Sequence, residues 1–472
     1  MTGAQRVFHK YAGDRRFYRR ALTVALPIML QNTVTNFVSL LDNIMVGQTG
    51  TASMSGVAVV GQLFFIFYLV IFGTVSGPGI FCAQFWGAGD ERSFKAAFRY
   101  KLATAMALCF VCMGVLAAAG GPLASLYITG GEEESAQVAA YAEEYLRVML
   151  WGMVPYTVAM VYATTLREAG HAVVPMAASW SAVAVNLFLN WVLIFGHLGA
   201  PAMGVRGAAL ATVISRLVEM AVCVLWSHRH KEQVLFTRQM LEGAPMPRAL
   251  LADMFRRSTP LMLNEALWCL GSATLTQIYS TRGIAVMAAM NIALVLFDVF
   301  TAIAFSVGGT IGILVGQELG AGQTEQAVDT DRKLLAMGVV LASAIALVMA
   351  AASGLFPRFY NTTDDVRSLA ADLIRIMAVY LPLDCFANGS YFTMRSGGRT
   401  LVTFLFDSCF AWAVNVPVAW VLAHRTGLGI QAVYTLSVST VAIKCVIGAV
   451  LIHKRYWVNT LPGIETNAAR DL

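Results

Sequence analysis

Six acidic residues lie inside long apolar stretches of this 472-residue sequence: Asp42, Glu219, Glu265, Asp298, Asp384 and Asp407. A charge at the centre of a membrane helix costs on the order of 2.5–3.5 kcal/mol on insertion scales, so such a residue usually has a partner or a task. Only four basic residues lie within or near the same stretches: Arg147, Arg216, Arg375 and Lys444. The excess of acids favours cations, either as cargo or as coupling ions.

One candidate group combines Asp42, near the end of the first apolar stretch, with two amides of the fifth. Asn186 and Asn190 are four residues apart, so their side chains share one face of a helix, and Thr212 in the sixth stretch adds a hydroxyl. These groups can supply oxygens to a monovalent cation such as Na⁺. Alternatively, the amides can hold Asp42 in one of two hydrogen-bonded arrangements as it gains or loses a proton, or they only join helices.

A second candidate group lies in the second half of the chain. Tyr380 and Asp384 are at positions i and i+4, on one helical face, and Glu265 lies a little inside the seventh apolar stretch. They either bind a cation or form ordinary polar contacts with other helices. Asp298 and Asp407 have no base close in sequence, so each either lines a cleft as an acid for cationic cargo or pairs with a polar neighbour.

The elements that position these residues are membrane helices. Hydrophobic residues make up 58% of the chain, charged residues only 13%, and the mean hydropathy is +0.66. A soluble domain carries about 25% charged residues, so this chain could not cover a water-exposed surface. From Asn43 to Gly89 there is no Asp, Glu, Lys or Arg. The sequence therefore predicts an all-α integral membrane protein with membrane lipid around it.

Apolar stretches of about 20 residues or more predict about twelve transmembrane helices. They lie near 21–44, 56–84, 102–120, 138–166, 172–196, 205–227, 258–280, 285–316, 334–355, 370–394, 400–424 and 428–451. Both chain ends and the loops on their side carry 24 of the 33 lysines and arginines, and the opposite loops carry five. The positive-inside rule then places both termini in the cytoplasm of a multi-pass protein of the cell membrane. The basic net charge of +6 follows from this topology and does not indicate nucleic acid.

The two halves of the sequence repeat each other. Leu26-Pro27-Ile28-Met29-Leu30-Gln31 matches Thr259-Pro260-Leu261-Met262-Leu263-Asn264, and Gln84 to Gly89 matches Gln317 to Gly322, both at an offset of 233 positions. Six helices per repeat insert both halves the same way up, so they are related by a pseudo-two-fold axis along the membrane normal. Parallel repeats of this kind are typical of transporters that bind substrate between them.

The expected segments are a cytoplasmic N-terminal segment (1–20), an N-lobe of six helices (21–227), a cytoplasmic linker (228–257), a C-lobe of six helices (258–455) and a cytoplasmic tail (456–472). No H-E-x-x-H, G-x-S-x-G or P-loop motif occurs in the sequence. We therefore expect neither an enzyme nor an ATP-driven pump, no cofactor beyond a coupling ion, and a monomer.

The sequence resembles the multidrug and toxic compound extrusion (MATE) family. The resemblance rests on Ala25-Leu26-Pro27, Leu41 to Gly47, Gln84 to Gly89 and Gly204 to Ala209, in this order, and extends from about residue 20 to 455. It implies two six-helix lobes with a central cleft that exports small organic compounds by alternating access, driven by inward Na⁺ or H⁺. A lipid or polysaccharide flippase of the same superfamily is the alternative, although such proteins tend to carry bases in the cavity.

The resemblance also assigns residues. It makes Asp42, Asn186, Asn190 and Thr212 the N-lobe cation site, although some members carry Asp where this chain has Asn190. It makes Tyr380 and Asp384, with Glu265, similar to the C-lobe cation site of Na⁺-coupled members, so that Na⁺ would bind at one of these two groups. Pro27 removes a backbone hydrogen bond inside the first helix and permits a bend there.

Overall fold

The structure is a computed structural model that describes residues 10–128, 132–234, 236–237 and 248–461. Parts of the predicted N-terminal segment (1–20), linker (228–257) and tail (456–472) lie outside these residues. Within the described part there is no β-strand, and twelve long helices follow one another as the apolar stretches predict. The predicted all-α membrane fold is therefore confirmed.

The helices are longer than the apolar stretches because polar residues extend several of them at their ends. In the first half they are α1 (Arg15–Gly47), α2 (Thr51–Ala88), α3 (Glu91–Ser125), α4 (Glu132–Glu168), α5 (Val173–Phe195) and α6 (Gly204–Arg229). In the second half they are α7 (Arg248–Ser280), α8 (Ile284–Gly320), α9 (Thr324–Ala352), α10 (Asp364–Ser396), α11 (Thr400–Arg425) and α12 (Ile430–His453).

Nine of the twelve helices in the described part are both long and apolar enough to cross a membrane by composition alone. Asp42, Glu265 and Asp384 lie on the other three, α1, α7 and α10. Three of the six candidate acids thus lie on the more polar helices, whereas Glu219, Asp298 and Asp407 lie on α6, α8 and α11. Ionisable residues inside membrane helices usually face the interior of the helix bundle or a water-filled cavity.

Two compact units emerge from the packing of the helices. The first contains residues up to Met29, Ala83–Asp90 and the chain from Asp253 onward, and the second contains Leu30–Cys82 and Glu91–Ala252. Most helices of the first repeat therefore belong to the second unit, but the first part of α1 and the end of α2 belong to the same unit as the second repeat.

The second unit is built around α6, which packs along both α4 and α5. α5 ends at Gly196, whose φ of 77° is left-handed and whose amide donates to the carbonyl of Val192. A side chain there would also collide with the backbone of Ala202, so glycine makes the tight connection between α5 and α6. Gly207 lets the start of α6 lie directly against the carbonyl of Leu193. This close hairpin fixes the register between α5 and α6.

In the first unit α10 is the central helix, in contact with α8, α9 and α12. Leu373, Ile374 and Leu381 of α10 are fully buried in one apolar core together with Ala289 and Ala293 of α8. Small alanines opposite branched side chains let α8 and α10 approach closely, since membrane helices associate through tight van der Waals packing.

The repeated Q-x-x-G motif has a structural role within the first unit. A Cβ atom at Gly87 would fall on the carbonyl of Gln317, and one at Gly320 would fall on the carbonyl of Gln84. These four residues are the equivalent positions of the two copies of the motif, 233 positions apart. The ends of α2 and α8 therefore pack on each other in a symmetric, self-complementary contact that only glycine permits.

Candidate functional site

The structure brings Asp42, Asn186 and Asn190 together between α1 and α5. The amide of Asn190 donates to Oδ1 of Asp42 at 2.7 Å and to Oδ1 of Asn186 at 3.2 Å. Asn186 and Asn190 are only 5% and 1% exposed. We call Asp42, Asn186, Asn190 and Thr212 the Asp42 group. Its geometry agrees with the helical spacing of the two asparagines.

The amide of Asn186 can meet the carboxyl of Asp42 in two ways. One end of this amide lies 2.8 and 3.1 Å from the two carboxyl oxygens of Asp42. If that end is the nitrogen, it donates to a charged carboxylate. If it is the oxygen, the contact is favourable only when the carboxyl carries a proton or a cation lies between the oxygens. The other end of the amide lies 3.5 Å from the hydroxyl of Thr212 on α6.

A buried oxygen beside Asp42 is left without a hydrogen bond. Oδ1 of Asn190 has no partner among the described residues, although buried amide oxygens are normally paired. Carboxyl, amide and hydroxyl oxygens are the ligands that hard cations prefer. The donor set therefore fits either a bound Na⁺ or a proton on Asp42, and the chemistry available is reversible neutralisation of one carboxylate.

No lysine or arginine forms an ion pair with Asp42 in the described part of the chain. The nearest base is Arg216 on α6, which acts on Asp42 at longer range and is itself ion-paired with Glu219 at 2.8 Å. Arg216 and Glu219 are three residues apart on α6, a spacing that puts both side chains on one helical face. Because Glu219 neutralises Arg216, Asp42 has no permanent counter-charge.

Glu219 belongs to a hydrogen-bonded chain that crosses the second unit. Arg167 donates to the side-chain oxygen of Gln31 at 2.6 Å, Gln31 donates to Ser179 at 2.6 Å, and Ser179 donates to Glu219 at 2.6 Å. This chain links α4, α1, α5 and α6. The three hydrogen bonds join these four helices, although Nε of Arg167 has no partner among the described residues.

Glu265 lies in a different environment from the one that the spacing of Tyr380 and Asp384 suggested. The hydroxyl of Tyr391 donates to Oε1 of Glu265 at 3.4 Å, and Arg395 is the nearest base that acts on it. No hydrogen bond or ion pair joins Glu265 to Tyr380 or Asp384 among the residues that the structure describes. Glu265 of α7 therefore contacts α10 at Tyr391, whereas Tyr380 and Asp384 lie earlier on α10.

Asp407 and Asp384 share one basic neighbour, Lys444 of α12. The ammonium of Lys444 lies 2.5 Å from Oδ1 of Asp407, and the amide of Asn264 donates to Oδ2 of Asp407 at 3.1 Å. Lys444 also acts electrostatically on Asp384. Tyr380 lies one helical turn before Asp384 on α10 and is half-buried.

The remaining predicted residues are Asp298 and Pro27. The side chain of Asp298 is exposed on α8, and no described residue forms an ion pair with it. Pro27 is buried inside α1, which continues as a helix on both sides. The predicted bend at Pro27 remains a prediction.

The sequence patterns do not identify Lys444, Asn264 and Tyr391 as partners of the candidate acids. Asp407 precedes Lys444 by 37 positions, so their spacing gives no indication of the ion pair. A signal was present in the repeat: Arg216 and Lys444 are 228 positions apart, as are Arg167 and Arg395. The internal repeat therefore predicts that Lys444 occupies the position in the second half that Arg216 occupies in the first.

The family model named MatE matches residues 27–192 and 260–421, which is more than half of the chain. The chain belongs to the MatE family. The two matched ranges lie within the two halves of the predicted repeat, one in each, and the resemblance seen in the sequence motifs is confirmed.

Curated relatives of this MatE chain cover most of its length. It is 24% identical over 420 residues to the probable multidrug resistance protein NorM of Thermotoga maritima, with 87% of each chain covered. It is 26% identical over 417 residues to the probable multidrug resistance protein YoeA of Bacillus subtilis, covering 87% of this chain and 88% of the relative.

Solved structures show the same fold. A crystal structure of MATE in complex with MaL6 aligns over 100% of both chains with a TM-score of 0.83 at 18% identity. An outward-facing conformation of a multidrug resistance MATE family transporter of the MOP superfamily aligns over 96% of this chain and 98% of that one, with a TM-score of 0.77 at 20% identity. The MatE chain thus has the helical architecture of these transporters.

Proposed function

We propose that this protein is a secondary active exporter of small organic compounds, often cationic, that exchanges its cargo for Na⁺ or H⁺ by alternating access. The observation that carries the proposal is the Asp42 group: one carboxylate, buried amides on one face of α5 and no permanent counter-charge. The relatives NorM and YoeA are described as probable multidrug resistance proteins, which supports small organic compounds as the cargo.

Neutralisation of Asp42 changes which hydrogen bonds are favourable. A charged carboxylate accepts from the amides of Asn186 and Asn190, whereas a protonated carboxyl can donate to the amide oxygen of Asn186 and a bound Na⁺ attracts that oxygen. The two states therefore differ in the contacts between α1 and α5. A ligand shifts a conformational equilibrium only through its differential affinity for the two states, and this rearrangement supplies such a difference for the coupling ion.

Cationic cargo requires negative charge that is not already neutralised. Asp407 is paired with Lys444, so of the two candidate cleft acids it is Asp298 that has an unpaired carboxylate in the described part. We assign Asp298 the role of attracting cationic cargo. The excess of bases on one set of loops supports a cell-membrane location with both termini in the cytoplasm.

Dye efflux from proteoliposomes tests the proposed exchange. Purified protein is reconstituted with a fluorescent cationic dye inside the vesicles, and an inward Na⁺ gradient or an inward pH gradient is applied alone. We expect one of these gradients to accelerate dye release and ATP to have no effect. A membrane potential adds about 2.3 kcal/mol per charge per 100 mV, so the potential is clamped. Equal release with and without both gradients would contradict cation coupling.

A further inference from the structure

The ammonium of Lys444 lies against an acidic side chain and an aromatic ring of α11. It is 2.5 Å from Asp407, and both side chains are only 17% exposed. The ring of Phe406 lies under the same ammonium, 5.2 Å from its nitrogen to the ring centroid. Lys444 also acts electrostatically on Asp384 of α10. A carboxylate and an aromatic face are a typical environment for a bound cation.

The backbone of α11 is adapted to this contact. Residues Leu405–Cys409 and Ala411–Asn415 form wider π-helical turns, and Asp407 lies in the first of them. Such turns are frequent at functional sites because they redirect side chains within a helix. Asn264 of α7 holds the other oxygen of Asp407 at 3.1 Å and accepts from the hydroxyl of Ser408 at 2.8 Å. The carboxylate of Asp407 is therefore fixed toward Lys444.

The internal repeat shows which polar residues the two halves share. Asn186 and Thr212 form a side-chain contact in the first half, and Asn415 accepts from Thr440 at 2.9 Å in the second. These pairs are 229 and 228 positions apart, and the same offset relates Arg216 to Lys444. The polar scaffold and the base are therefore present in both halves.

The acid of the Asp42 group has no counterpart in the second half. The positions equivalent to Asp42 and Asn190 are Leu275 and Ala419, which belong to the apolar core of the first unit. Besides Asp298, the second half carries its acids at Glu265, Asp384 and Asp407, which interact electrostatically with the bases Lys444 and Arg395. Among the described residues Asp407 is the one of these three that forms an ion pair, with Lys444, whereas Asp42 of the first half forms none.

We propose that Lys444 is a tethered counter-ion: its ammonium occupies the place that a free monovalent cation would take beside Asp407. The carboxylate of Asp407 then stays neutralised throughout the cycle, and the exchange of ions is left to the Asp42 group. The role of Lys444 in transport rests on the proposed cation antiport. That its ammonium takes the place of a bound cation can be tested by cation binding alone.

Removing the ammonium tests the inference without measuring transport. In the Lys444→Met variant the carboxylate of Asp407 lacks its cation, so Na⁺ should bind there and stabilise the fold. We expect the thermal unfolding midpoint of the purified variant to be roughly 5 °C higher in sodium chloride than in choline chloride of equal ionic strength. The Lys444→Arg variant keeps the charge and should show no larger Na⁺ effect than the unmodified protein.

A double variant controls for the charge. Lys444→Met combined with Asp407→Asn removes the acid as well as the base, so its additional Na⁺ effect should disappear. A Lys444→Met protein that folds and shows no added Na⁺ stabilisation would overturn the inference, as would equal Na⁺ stabilisation of the single and double variants.

A variant set that keeps Lys444 covers the case in which Lys444→Met does not fold. Any effect of Na⁺ or pH on dye binding by the unmodified protein should persist in Asp384→Asn and vanish in Asp42→Asn; the reverse pattern would overturn the inference. Failure of gradient-driven efflux would contradict the proposed function alone, because the Na⁺-dependent midpoint of Lys444→Met is read without transport.

Discussion

Replacing Asp42 with asparagine should lower gradient-driven dye efflux about tenfold or more, since coupling free energies between two sites typically reach about 1–3 kcal/mol. Asparagine keeps the shape of the side chain and one acceptor for the amide of Asn190, which now lies 2.7 Å from Oδ1. It cannot lose or gain a proton, and it offers no charge to Na⁺. The measurement is the initial rate of dye release from proteoliposomes under each imposed gradient.

The control for this variant is Asp364→Asn, the same chemical change at the start of α10, where the side chain is 96% exposed. It should leave efflux unchanged, and both variants should unfold within about 2 °C of the unmodified protein, because neither change alters packing. Asp42→Glu retains the charge and should keep part of the activity. Unmodified efflux by a folded Asp42→Asn protein would remove Asp42 from the mechanism.

Adding a methyl group at Gly87 or Gly320 should have the largest effect on stability. Each new Cβ would lie on a backbone carbonyl of the other motif, Gln317 or Gln84, and backbone cannot rotate away as a flexible side chain can. Overpacking of this kind typically costs about 1–3 kcal/mol. We expect Gly87→Ala and Gly320→Ala each to lower the thermal unfolding midpoint of the purified protein by several degrees.

Two other glycines serve as matched controls on the same helices. A Cβ at Gly61 of α2 or Gly309 of α8 would meet nothing within 4 Å. Alanine at these positions should be neutral or stabilise by about 0.5–1 kcal/mol through its helix propensity. Because Gly87 and Gly320 form one contact, the double variant should lose less than the sum of the two single losses. Equal effects at all four glycines would contradict the proposed packing of the motifs.

Much of the helical fold follows from the sequence because hydrophobicity in a membrane protein is a local property. Each stretch of about 20 apolar residues can satisfy its backbone only as a helix, whatever its neighbours are. The same holds for Asn186 and Asn190, whose spacing within one helix already puts them on one face. Both residues contact Asp42 from that shared face.

Pairing between helices was harder to predict, because it depends on packing and rotation that no single stretch encodes. The spacing of Tyr380 and Asp384 identifies a shared face but not the helix that it meets, and the electrostatic effect of Lys444 of α12 on Asp384 cannot be predicted from it. The π-helical turns that direct Asp407 toward Lys444 have no clear sequence pattern.

Two aromatic residues outside the long helices also make contacts that the sequence does not predict. Phe236 lies in the predicted linker and Trp457 in the predicted tail, yet both are fully buried. Phe236 packs 4.5 Å from Phe98 and 5.8 Å from Tyr162, measured between ring centroids. A single apolar residue in a polar segment is a weak signal, since exposed apolar residues are common at protein surfaces.

Coupling between cation binding at the Asp42 group and the binding of cargo is tested most directly by equilibrium binding. The affinity of the purified protein for a fluorescent cationic dye is measured by anisotropy while Na⁺ is raised and, separately, while pH is lowered. The affinity of the unmodified protein should fall as one of these cations increases, and the affinity of Asp42→Asn should not change. An affinity that responds to Na⁺ or pH equally in both proteins would contradict the account.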